Sequence, residues 1–265
     1  MTPGQHGTTM VIDTGLPTRA FIDLVESHGP LIDLVKFGWG TALVTKDIAR
    51  KTGALQDAGI GFYFGGTLFE YFLWTGRLPD YLAMVDGFGA THIEVSNGTI
   101  PLDQNAKADY VRQLAGVRPV LSEVGYKDAD RSALLTPADW VSALNQDLAA
   151  GASMVITEAR ESGRSGIARA DGHMRDDVLG AVLEAVDPSL VMFEAPTKDL
   201  QVELIRTVGP DVNLGNVATT DVIGVETLRR GLRGDTLLDL TTGAGASRIG
   251  ATPRPTARTT RPAAA

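Results

Sequence analysis

Short apolar segments rich in β-branched residues recur along the chain, and stretches of helical periodicity separate them. There are eight such segments, at residues 9–13, 31–36, 60–64, 91–96, 119–123, 154–158, 190–194 and 213–217. Strands that alternate with helices form parallel sheets, because each helix returns the chain to the end where the next strand begins. Eight of these units within 265 residues predict a (β/α)8 TIM barrel that forms a single domain.

A doubly wound open sheet is the alternative fold. It usually carries a glycine-rich dinucleotide-binding turn, GxGxxG, after a strand. No predicted strand is followed by that spacing, and neither Gly65-Gly66 nor the pair Gly163 and Gly166 matches it. The barrel is therefore the favoured fold.

Two predicted helices have recognisable starts. The periodic segment 46–58 follows Thr45, which can act as its N-cap. Thr136-Pro137 places proline at the first helical position, where its missing N–H leaves no hydrogen bond unmade. Both positions predict helices on the outside of the barrel.

Charge is unevenly distributed along the chain. The formal net charge is −8, with 24 basic and 32 acidic residues. Residues 1–240 contain all the acids and carry −12, which argues against nucleic-acid binding, since phosphate contacts require lysine and arginine. Residues 241–265 are rich in proline, threonine and arginine and lack hydrophobic periodicity. We expect residues 1–240 to form the barrel and residues 241–265 to form a disordered tail.

Several classes of function are excluded or disfavoured by composition. The chain contains no cysteine, which excludes disulfides, cysteine nucleophiles and thiolate zinc sites. Its four histidines lack zinc-site spacing, and no GxSxG motif of a serine hydrolase occurs. No apolar run is long enough to span a membrane, and no signal peptide is visible, so we expect a cytoplasmic protein without membrane contact.

Charged side chains concentrate where the predicted strands end. They are Asp13, Lys36, Glu94, Glu123, Lys127, Glu158, Arg160, Glu161, Arg164, Glu194 and Lys198. The loops at this end of a barrel build its active site. Ionised groups beside apolar strands are costly unless they are paired or bound to metal, so internal salt bridges are the alternative explanation. Their convergence on one barrel mouth favours a shared functional site.

The residue types at these strand ends indicate a particular chemistry. Several carboxylates without a histidine cluster favour a hard cation such as Mg²⁺. Cations beside them favour an anionic substrate, a phosphate or a carboxylate. Lysine among carboxylates at a divalent metal is also typical of enzymes that stabilise an enolate. Trp39 stands between Gly38 and Gly40, which permit close backbone approach to a ligand.

Long motifs at the same strand ends resemble those of a known family, the phosphosulfolactate synthases. The matching segments are VKFGWGT at 35–41, GGTLFE at 65–70, SEVG at 122–125 with Lys127, EARESG at 158–163, FEAP at 193–196, VNLGN at 212–216 and ETLRRGLRGDT at 226–236. They follow the family's order from about residue 8 to residue 237. So many motifs in one order make the resemblance specific.

The resemblance implies an oligomeric barrel that adds sulfite to phosphoenolpyruvate with Mg²⁺. The product is (2R)-phospho-3-sulfolactate, an early intermediate towards coenzyme M and other sulfonates, formed by a Michael-type addition. It implies that Glu123, Glu158 and Glu194 serve the metal and that Lys127 is the general acid. The further catalytic residues are Lys36, Arg160 and Glu161, and the substrate-binding residues are Arg164, Lys198, Gly65, Gly66, Thr67, Asn97, Gly215 and Asn216.

The sequence departs from the family pattern at five positions near the predicted site. They are Thr14, Phe64, Asn97, Tyr126 and Thr197. The family commonly has lysine at position 14 and proline at 64, so a cation is absent and bulk is added. Sulfite retained despite these differences is the favoured interpretation. Two alternatives stay open: a paralogue with another nucleophile or acceptor, as in natural-product biosynthesis, and a non-catalytic stress-associated paralogue.

One motif of the resemblance is expected away from the site. Residues 229–235 follow the last helix, which runs from the barrel mouth to the opposite face. We expect this segment at the bottom of the barrel, where a contact between subunits is a better interpretation than a phosphate site.

Overall fold

All eight predicted strand segments contain a strand of one parallel sheet in the structure, a computed structural model that describes residues 7–241. The strands are β1 (Thr9–Asp13), β2 (Leu34–Phe37), β3 (Gly61–Phe64), β4 (Ile93–Val95), β5 (Val120–Val124), β6 (Met154–Thr157), β7 (Val191–Glu194) and β8 (Asn213–Ala218). Their order is β3-β2-β1-β8-β7-β6-β5-β4. Helices separate successive strands, so the predicted (β/α)8 barrel is confirmed.

Helices surround the barrel. They are α1 (Thr18–His28), α2 (Ile48–Ala58), α3 (Gly66–Trp74), α4 (Leu78–Phe88), α5 (Gln104–Ala115), α6 (Ala129–Ala133), α7 (Pro137–Ala150), α8 (Asp176–Ala185), α9 (Lys198–Thr207), α10 (Val222–Arg229) and α11 (Leu237–Thr241). Short 3₁₀ turns at Gly29–Leu31 and Pro188–Leu190 precede β2 and β7. These turns include the first residues of the predicted strands 31–36 and 190–194, which therefore begin later than predicted.

The two predicted helix starts have different outcomes. Thr136 caps α7 as expected: its Oγ1 accepts from the Asp139 N–H, and the Asp139 carboxylate accepts from the Thr136 N–H. The prediction that Thr45 caps α2 is wrong. Its hydroxyl instead donates to the Thr41 carbonyl at 2.8 Å, and α2 begins at Ile48. A short 3₁₀ turn precedes Thr45 and takes the hydrogen bond that the cap would have made.

The barrel is closed at one seam by hydrogen bonds of residues in and just before β4, through both backbone and side chains. Strands β3 and β4 are the two ends of the hydrogen-bonded ladder. Thr91, just before β4, donates its backbone N–H to the Phe62 carbonyl, and its hydroxyl accepts from the Phe62 N–H, both at 2.9 Å. Higher on the same seam, the Glu94 carboxylate accepts from the Gly66 N–H at the start of α3. Residues in and just before β4 thus join β3 to β4 and close the barrel.

The interior of the barrel changes from apolar to charged along its axis. One layer of buried side chains fills the middle: Met10, Leu34, Tyr63, Leu121, Ile156 and Met192. Because side chains alternate across a strand, the residue two positions later points to the same side. On four strands that next inward residue is charged: Lys36, Glu123, Glu158 and Glu194. The charged layer therefore rests on an apolar floor at the C-terminal end of the barrel.

The segment at 229–235 begins at the opposite end, as predicted. The Arg229 guanidinium donates to the carbonyls of Pro210 and Val212, which precede β8, and to the Thr8 carbonyl, which precedes β1. This arginine therefore ties together loops at the bottom of the barrel. The proposed subunit contact there stays a prediction.

The extent of the described chain limits two other predictions. Among residues 7–241, no helix is long and apolar enough to cross a lipid bilayer. The predicted disordered tail comprises residues 241–265; Thr241 is the last residue of α11, and residues 242–265 lie outside the described residues.

Candidate active site

A cavity of about 680 Å³ opens at the C-terminal end of the barrel. Each strand contributes to its wall at or just after its last residues: Ile12 and Thr14 from β1, Lys36 from β2, Gly65 from β3, Glu94 from β4, Glu123 from β5, Glu158 from β6, Glu194 from β7 and Asn216 from β8. The cavity therefore occupies the place where a barrel of this kind carries its active site.

Most of the site residues predicted from the sequence line this cavity. Eleven do so: Lys36, Gly65, Gly66, Thr67, Glu123, Lys127, Glu158, Arg160, Glu161, Glu194 and Asn216. Trp39, which the sequence marked by its flanking glycines, is also in the wall. The strand-end argument and the family motifs thus lead to the same pocket.

Four predicted substrate-binding residues lie outside the cavity wall. Arg164 is exposed, and the Lys198 ammonium pairs with Asp235 at 2.8 Å. The Asn97 side chain donates to the Leu102 carbonyl at 3.0 Å. Gly215 lies in the apolar layer, where an added Cβ would meet Met10 and Met192. As placed here, none of the four contributes to the cavity surface.

Glu94 and Thr99 also line the cavity, although no specific role is predicted for either from the sequence. Glu94 is fully buried and lines the cavity, and its position at the end of β4 is the signal that could have assigned it. Thr99 also lines the cavity, from the loop after β4. No motif marks Thr99, because a loop of this kind positions its side chains through hydrogen bonds that the sequence does not show.

Lys36 stands at the centre of a cage of carboxylates. Its Nζ lies 3.2 Å from Glu94, 3.2 Å from Glu123 and 3.3 Å from Glu194. An ammonium group has three protons. Lys36 donates two hydrogen bonds, to Glu123 and Glu194, and its contact with Glu94 Oε2 is an ion pair without a hydrogen bond. Its role in this arrangement is to neutralise buried acids.

Lys127 differs from Lys36 in one respect that matters for chemistry. Its Nζ pairs with Glu123 at 2.7 Å and with Glu158 at 2.8 Å. One ammonium proton is left over, and the side chain, 19% exposed, lines the cavity. Lys127 can therefore offer a proton to a bound molecule, and its side chain is more exposed than that of Lys36, which is 7% exposed.

Glu123, Glu158 and Glu194 together form a potential cation site. Each of the three buried carboxylates can place an oxygen within 4.8 Å of the others. Backbone groups orient two of them: the Ala159 N–H donates to Glu194 at 3.0 Å, and the Arg160 N–H donates to Glu158 at 2.7 Å. Three oriented oxygen donors suit a hard divalent ion such as Mg²⁺.

Burial and charge determine the protonation of this cluster. Burial raises the pKa of Glu194 to about 8, and the nearby charge of Glu158 adds to this effect. Burial also raises the pKa values of Glu94 and Glu158. Burial acts in the same direction on Glu123, but Lys127 and Lys36 outweigh it and hold its pKa below the ordinary value. The carboxylates thus differ in proton affinity although they share one site.

The pKa values of the two lysines respond to the acids around them. Burial alone would lower the pKa of Lys127, but Glu123 and Glu158 outweigh it and raise the pKa above the ordinary value. Burial has the same lowering effect on Lys36, where Glu94, Glu123 and Glu194 outweigh it. Both lysines are therefore cations at neutral pH.

Backbone strain is concentrated at the cavity. Among the described residues, the non-glycine positions with positive φ are Trp39 at 55°, Arg160 at 44° and Asn216 at 51°. All three line the cavity. Such conformations cost energy and persist where the surrounding structure enforces them, often at functional sites. Asn216 is also nine-tenths buried, and its Oδ1 accepts no hydrogen bond, so it is available to a ligand.

Comparison with known proteins agrees with this geometry. The family model described as (2R)-phospho-3-sulfolactate synthase (ComA) matches residues 1–235. A Bacillus subtilis protein named phosphosulfolactate synthase is 41% identical over 235 residues, covering 88% of this chain and 93% of that protein. A protein of the same name from Methanocaldococcus jannaschii is 40% identical over 236 residues, covering 88% and 94%. The chain belongs to the phosphosulfolactate synthase family.

Solved structures support the fold alone. A crystal structure of 3-hexulose-6-phosphate synthase superposes with a TM-score of 0.53 at 14% identity, covering 84% of this chain and 98% of that one. The family assignment therefore rests on the sequence relatives, and the structural neighbour supports only the barrel fold.

The five departures from the phosphosulfolactate synthase pattern have little effect on the cavity wall. Of these positions, only Thr14 lines it. Phe64, expected to add bulk at the mouth, points outward and packs against the rings of Phe37 and Phe88, with centroids 5.9 Å away. Tyr126 stacks under the Arg131 guanidinium, and Thr197 caps α9. The change at position 64 is therefore a change in the outer core.

Stability of the metal-free protein should fall as pH rises through neutrality. Below the ordinary carboxyl pKa of 4.5, Glu194 is neutral both folded and unfolded. Between that value and about 8, the unfolded chain releases the proton while the folded chain retains it, so rising pH favours unfolding. Calorimetry in EDTA should show a lower Tm at pH 8.5 than at pH 6. Glu194→Gln, which mimics the protonated form, should reduce this difference; an unchanged pH dependence would contradict the assignment.

Proposed function

We propose that this chain catalyses the reaction named for its family, the addition of sulfite to phosphoenolpyruvate to give (2R)-phospho-3-sulfolactate. The observation that carries the proposal is the arrangement of Lys127. This lysine has one uncommitted ammonium proton, faces the cavity and adjoins three carboxylates suited to a divalent ion. An acid beside a cation site is what protonation of an enolate requires.

The cation in this proposal is Mg²⁺. Glu123, Glu158 and Glu194 would hold it, because they offer oriented oxygen ligands and no softer donor lies among them. A bound Mg²⁺ would supply a Lewis acid for the carboxylate of phosphoenolpyruvate. Lys36 supports this site by neutralising part of the charge of Glu123 and Glu194 from the side.

The proton that C2 receives in this reaction comes from a residue of the chain. The sulfur lone pair of sulfite forms a bond to the C3 methylene carbon, and the electrons of the C2–C3 double bond move towards the carboxylate. Lys127 transfers a proton from Nζ to C2 and regains one from solvent, since its side chain is partly exposed. No bond to the phosphate breaks, so the phosphate remains in the product.

Anion binding falls to other cavity residues. The Arg160 side chain lies at the cavity with 34% exposure and contacts only its neighbour Glu161 among the ion pairs described, at 3.1 Å. It is the lining cation that stands outside the buried carboxylate cluster. We assign it to the phosphate or the sulfite, with the side-chain NH₂ of Asn216 as a neutral donor on the wall formed by β8.

The reaction can be tested with Lys127 replaced by an uncharged side chain. The wild type, supplied with phosphoenolpyruvate, sulfite and Mg²⁺, should form a phosphorylated sulfonate detectable by ³¹P NMR and mass spectrometry. Lys127→Met should lower kcat by about 10² to 10⁴-fold, the usual contribution of a general acid. Lys46→Met removes an exposed lysine outside the cavity wall and should leave kcat within about twofold, as a surface change does. Full activity in Lys127→Met would show that Lys127 is not the general acid. If the wild type forms no product, the chain does not catalyse sulfite addition.

Metal binding should be visible without any substrate. Mg²⁺ added to protein freed of metal should raise Tm, because an ion that binds only the folded chain stabilises it. Glu158→Gln should largely abolish this rise, whereas Glu184→Gln, an exposed acid on α8, should leave it intact. An equal rise in wild type and Glu158→Gln, measured by calorimetry, would show that the ion binds elsewhere.

Self-association is the remaining part of the proposal. Beside the cavity, five large apolar side chains are exposed on the β2–α2 loop and α3: Trp39 at 58%, Leu43 at 51%, Val44 at 84%, Tyr71 at 48% and Trp74 at 68%. Trp39, Leu43 and Tyr71 line one shallow groove. Apolar patches of this kind mark contact surfaces in soluble proteins. We infer that copies of the chain associate here to form a homo-oligomer.

Light scattering after gel filtration tests this surface. The wild type should elute as an oligomer, and Trp74→Glu should shift it to a smaller species, because burying a charge in an apolar contact is costly. Leu134→Glu changes a side chain that is 80% exposed and is not among the five apolar residues of this surface, so it should not alter the mass. A monomeric wild type, or an oligomer unaffected by Trp74→Glu, would refute the surface.

A further inference from the structure

Glu70 is a buried carboxylate outside the cavity wall whose described hydrogen bonds all go to one loop. It lies on α3, at the end of the GGTLFE motif, and is 1% exposed. Its Oε2 accepts from the backbone N–H groups of Thr99 at 2.8 Å and Ile100 at 2.7 Å. Its Oε1 accepts from the Ser96 hydroxyl at 2.6 Å. A buried acceptor with three donors is a strong local constraint, since each donor left without a partner is costly.

The loop held in this way, residues 96–100, follows β4 and reaches the cavity through Thr99. A second hydrogen bond ties it to the loop after β5: the Gly98 carbonyl accepts from the Lys127 N–H at 3.1 Å. At Gly98 the contact is close, because an added Cβ would lie 3.2 Å from the Gly125 carbonyl and 3.3 Å from Lys127 Cγ. The backbone of Lys127 therefore rests on a loop whose shape Glu70 sets.

A side-chain link runs in parallel with this backbone link. Ser96 Oγ lies 2.6 Å from Glu70 and 3.1 Å from Glu123 Oε1. That same Glu123 oxygen is the partner of the Lys127 ammonium at 2.7 Å. Because the hydroxyl has one proton and Glu70 is the nearer acceptor, Glu70 directs it away from Glu123. The Glu123 oxygen is then left to Lys127.

We propose that Glu70 is a positioning residue that places Lys127 for proton transfer and presents Thr99 to the cavity. It touches no substrate, and it acts through the 96–100 loop and through Ser96. The proposal rests on the proposed function only in giving Lys127 the role of acid. Its structural part, that Glu70 orders the loop, stands independently of the reaction.

Three substitutions separate this role from a general contribution to stability. Glu70→Asp keeps the charge but withdraws the carboxylate by one methylene, so it should lower kcat about 10²-fold with little change in KM, the cost of a small misplacement of a catalytic group. Glu70→Gln keeps an oxygen that can accept from the Thr99 and Ile100 N–H groups. It loses one hydrogen bond, with the modest energy of a bond between neutral groups, so its kcat should stay within about tenfold of wild type. Glu26→Asp, on an exposed site of α1, serves as the matched control and should leave kcat unchanged.

Hydrogen exchange read by mass spectrometry supplies a measurement without substrate. In Glu70→Asp, amides of the peptide covering 96–102 should exchange at least about tenfold faster than in wild type, while those of β6 and β7 should not change, because local opening releases only the amides it exposes. Wild-type exchange in the loop together with wild-type kcat in Glu70→Asp would overturn the proposal. So would a loss of kcat that Glu70→Gln fails to restore. If the wild type forms no product from phosphoenolpyruvate and sulfite, the proposed function fails while the exchange experiment still decides whether Glu70 orders the loop.

Discussion

The mutual neutralisation of lysines and carboxylates at the top of the barrel is the interaction on which the site depends. Four acids and two lysines converge above an apolar floor, and each lysine contacts at least two of the acids. Removing such charges from water costs several kcal/mol per ion unless partners and hydrogen bonds replace the solvent. The cluster satisfies that condition almost entirely from within, which is why the wall of the cavity can be both charged and buried. Two groups are exceptions: Lys127 donates only two hydrogen bonds within the cluster, and Glu94 Oε2 accepts none.

The position of the cluster follows from chain topology. Parallel strands bring their C-terminal ends to one face, and the alternation of side chains places every second residue inside. Glu123, Glu158 and Glu194 each occupy the inward position immediately above a residue of the apolar layer. A sequence can encode this arrangement through spacing alone. For this reason the spacing alone could predict that Glu123, Glu158 and Glu194 meet at the mouth of the barrel.

Other parts of the structure depend on contacts that spacing does not express. Lys51 was not singled out, yet its buried ammonium pairs with Asp13, whose carboxylate also accepts from the Gly15 and Leu16 N–H groups and so shapes the turn that carries Thr14. Lys198 follows a barrel strand as the residues that line the cavity do, but it begins a helix and its side chain pairs with Asp235. Phe64 could have been placed by alternation, since Tyr63 before it points inward. The alternation of side chains along β3 could therefore predict the direction of Phe64. Nothing in the sequence indicates which acid Lys51 or Lys198 pairs with.

The seam between β3 and β4 links the shape of the barrel to its electrostatics. Glu94 accepts the Gly66 N–H across this seam and pairs with Lys36 at the same time. One side chain therefore takes part in closing the sheet and in balancing the charge of the cavity. In protein engineering, this restricts which cavity residues can be replaced. A redesigned pocket must keep a hydrogen-bond acceptor at position 94, whatever the other cavity residues become. New specificities are better introduced on the β8 and β1 side, where the wall residues Ile12, Thr14, Asn216 and Ala218 carry no charge.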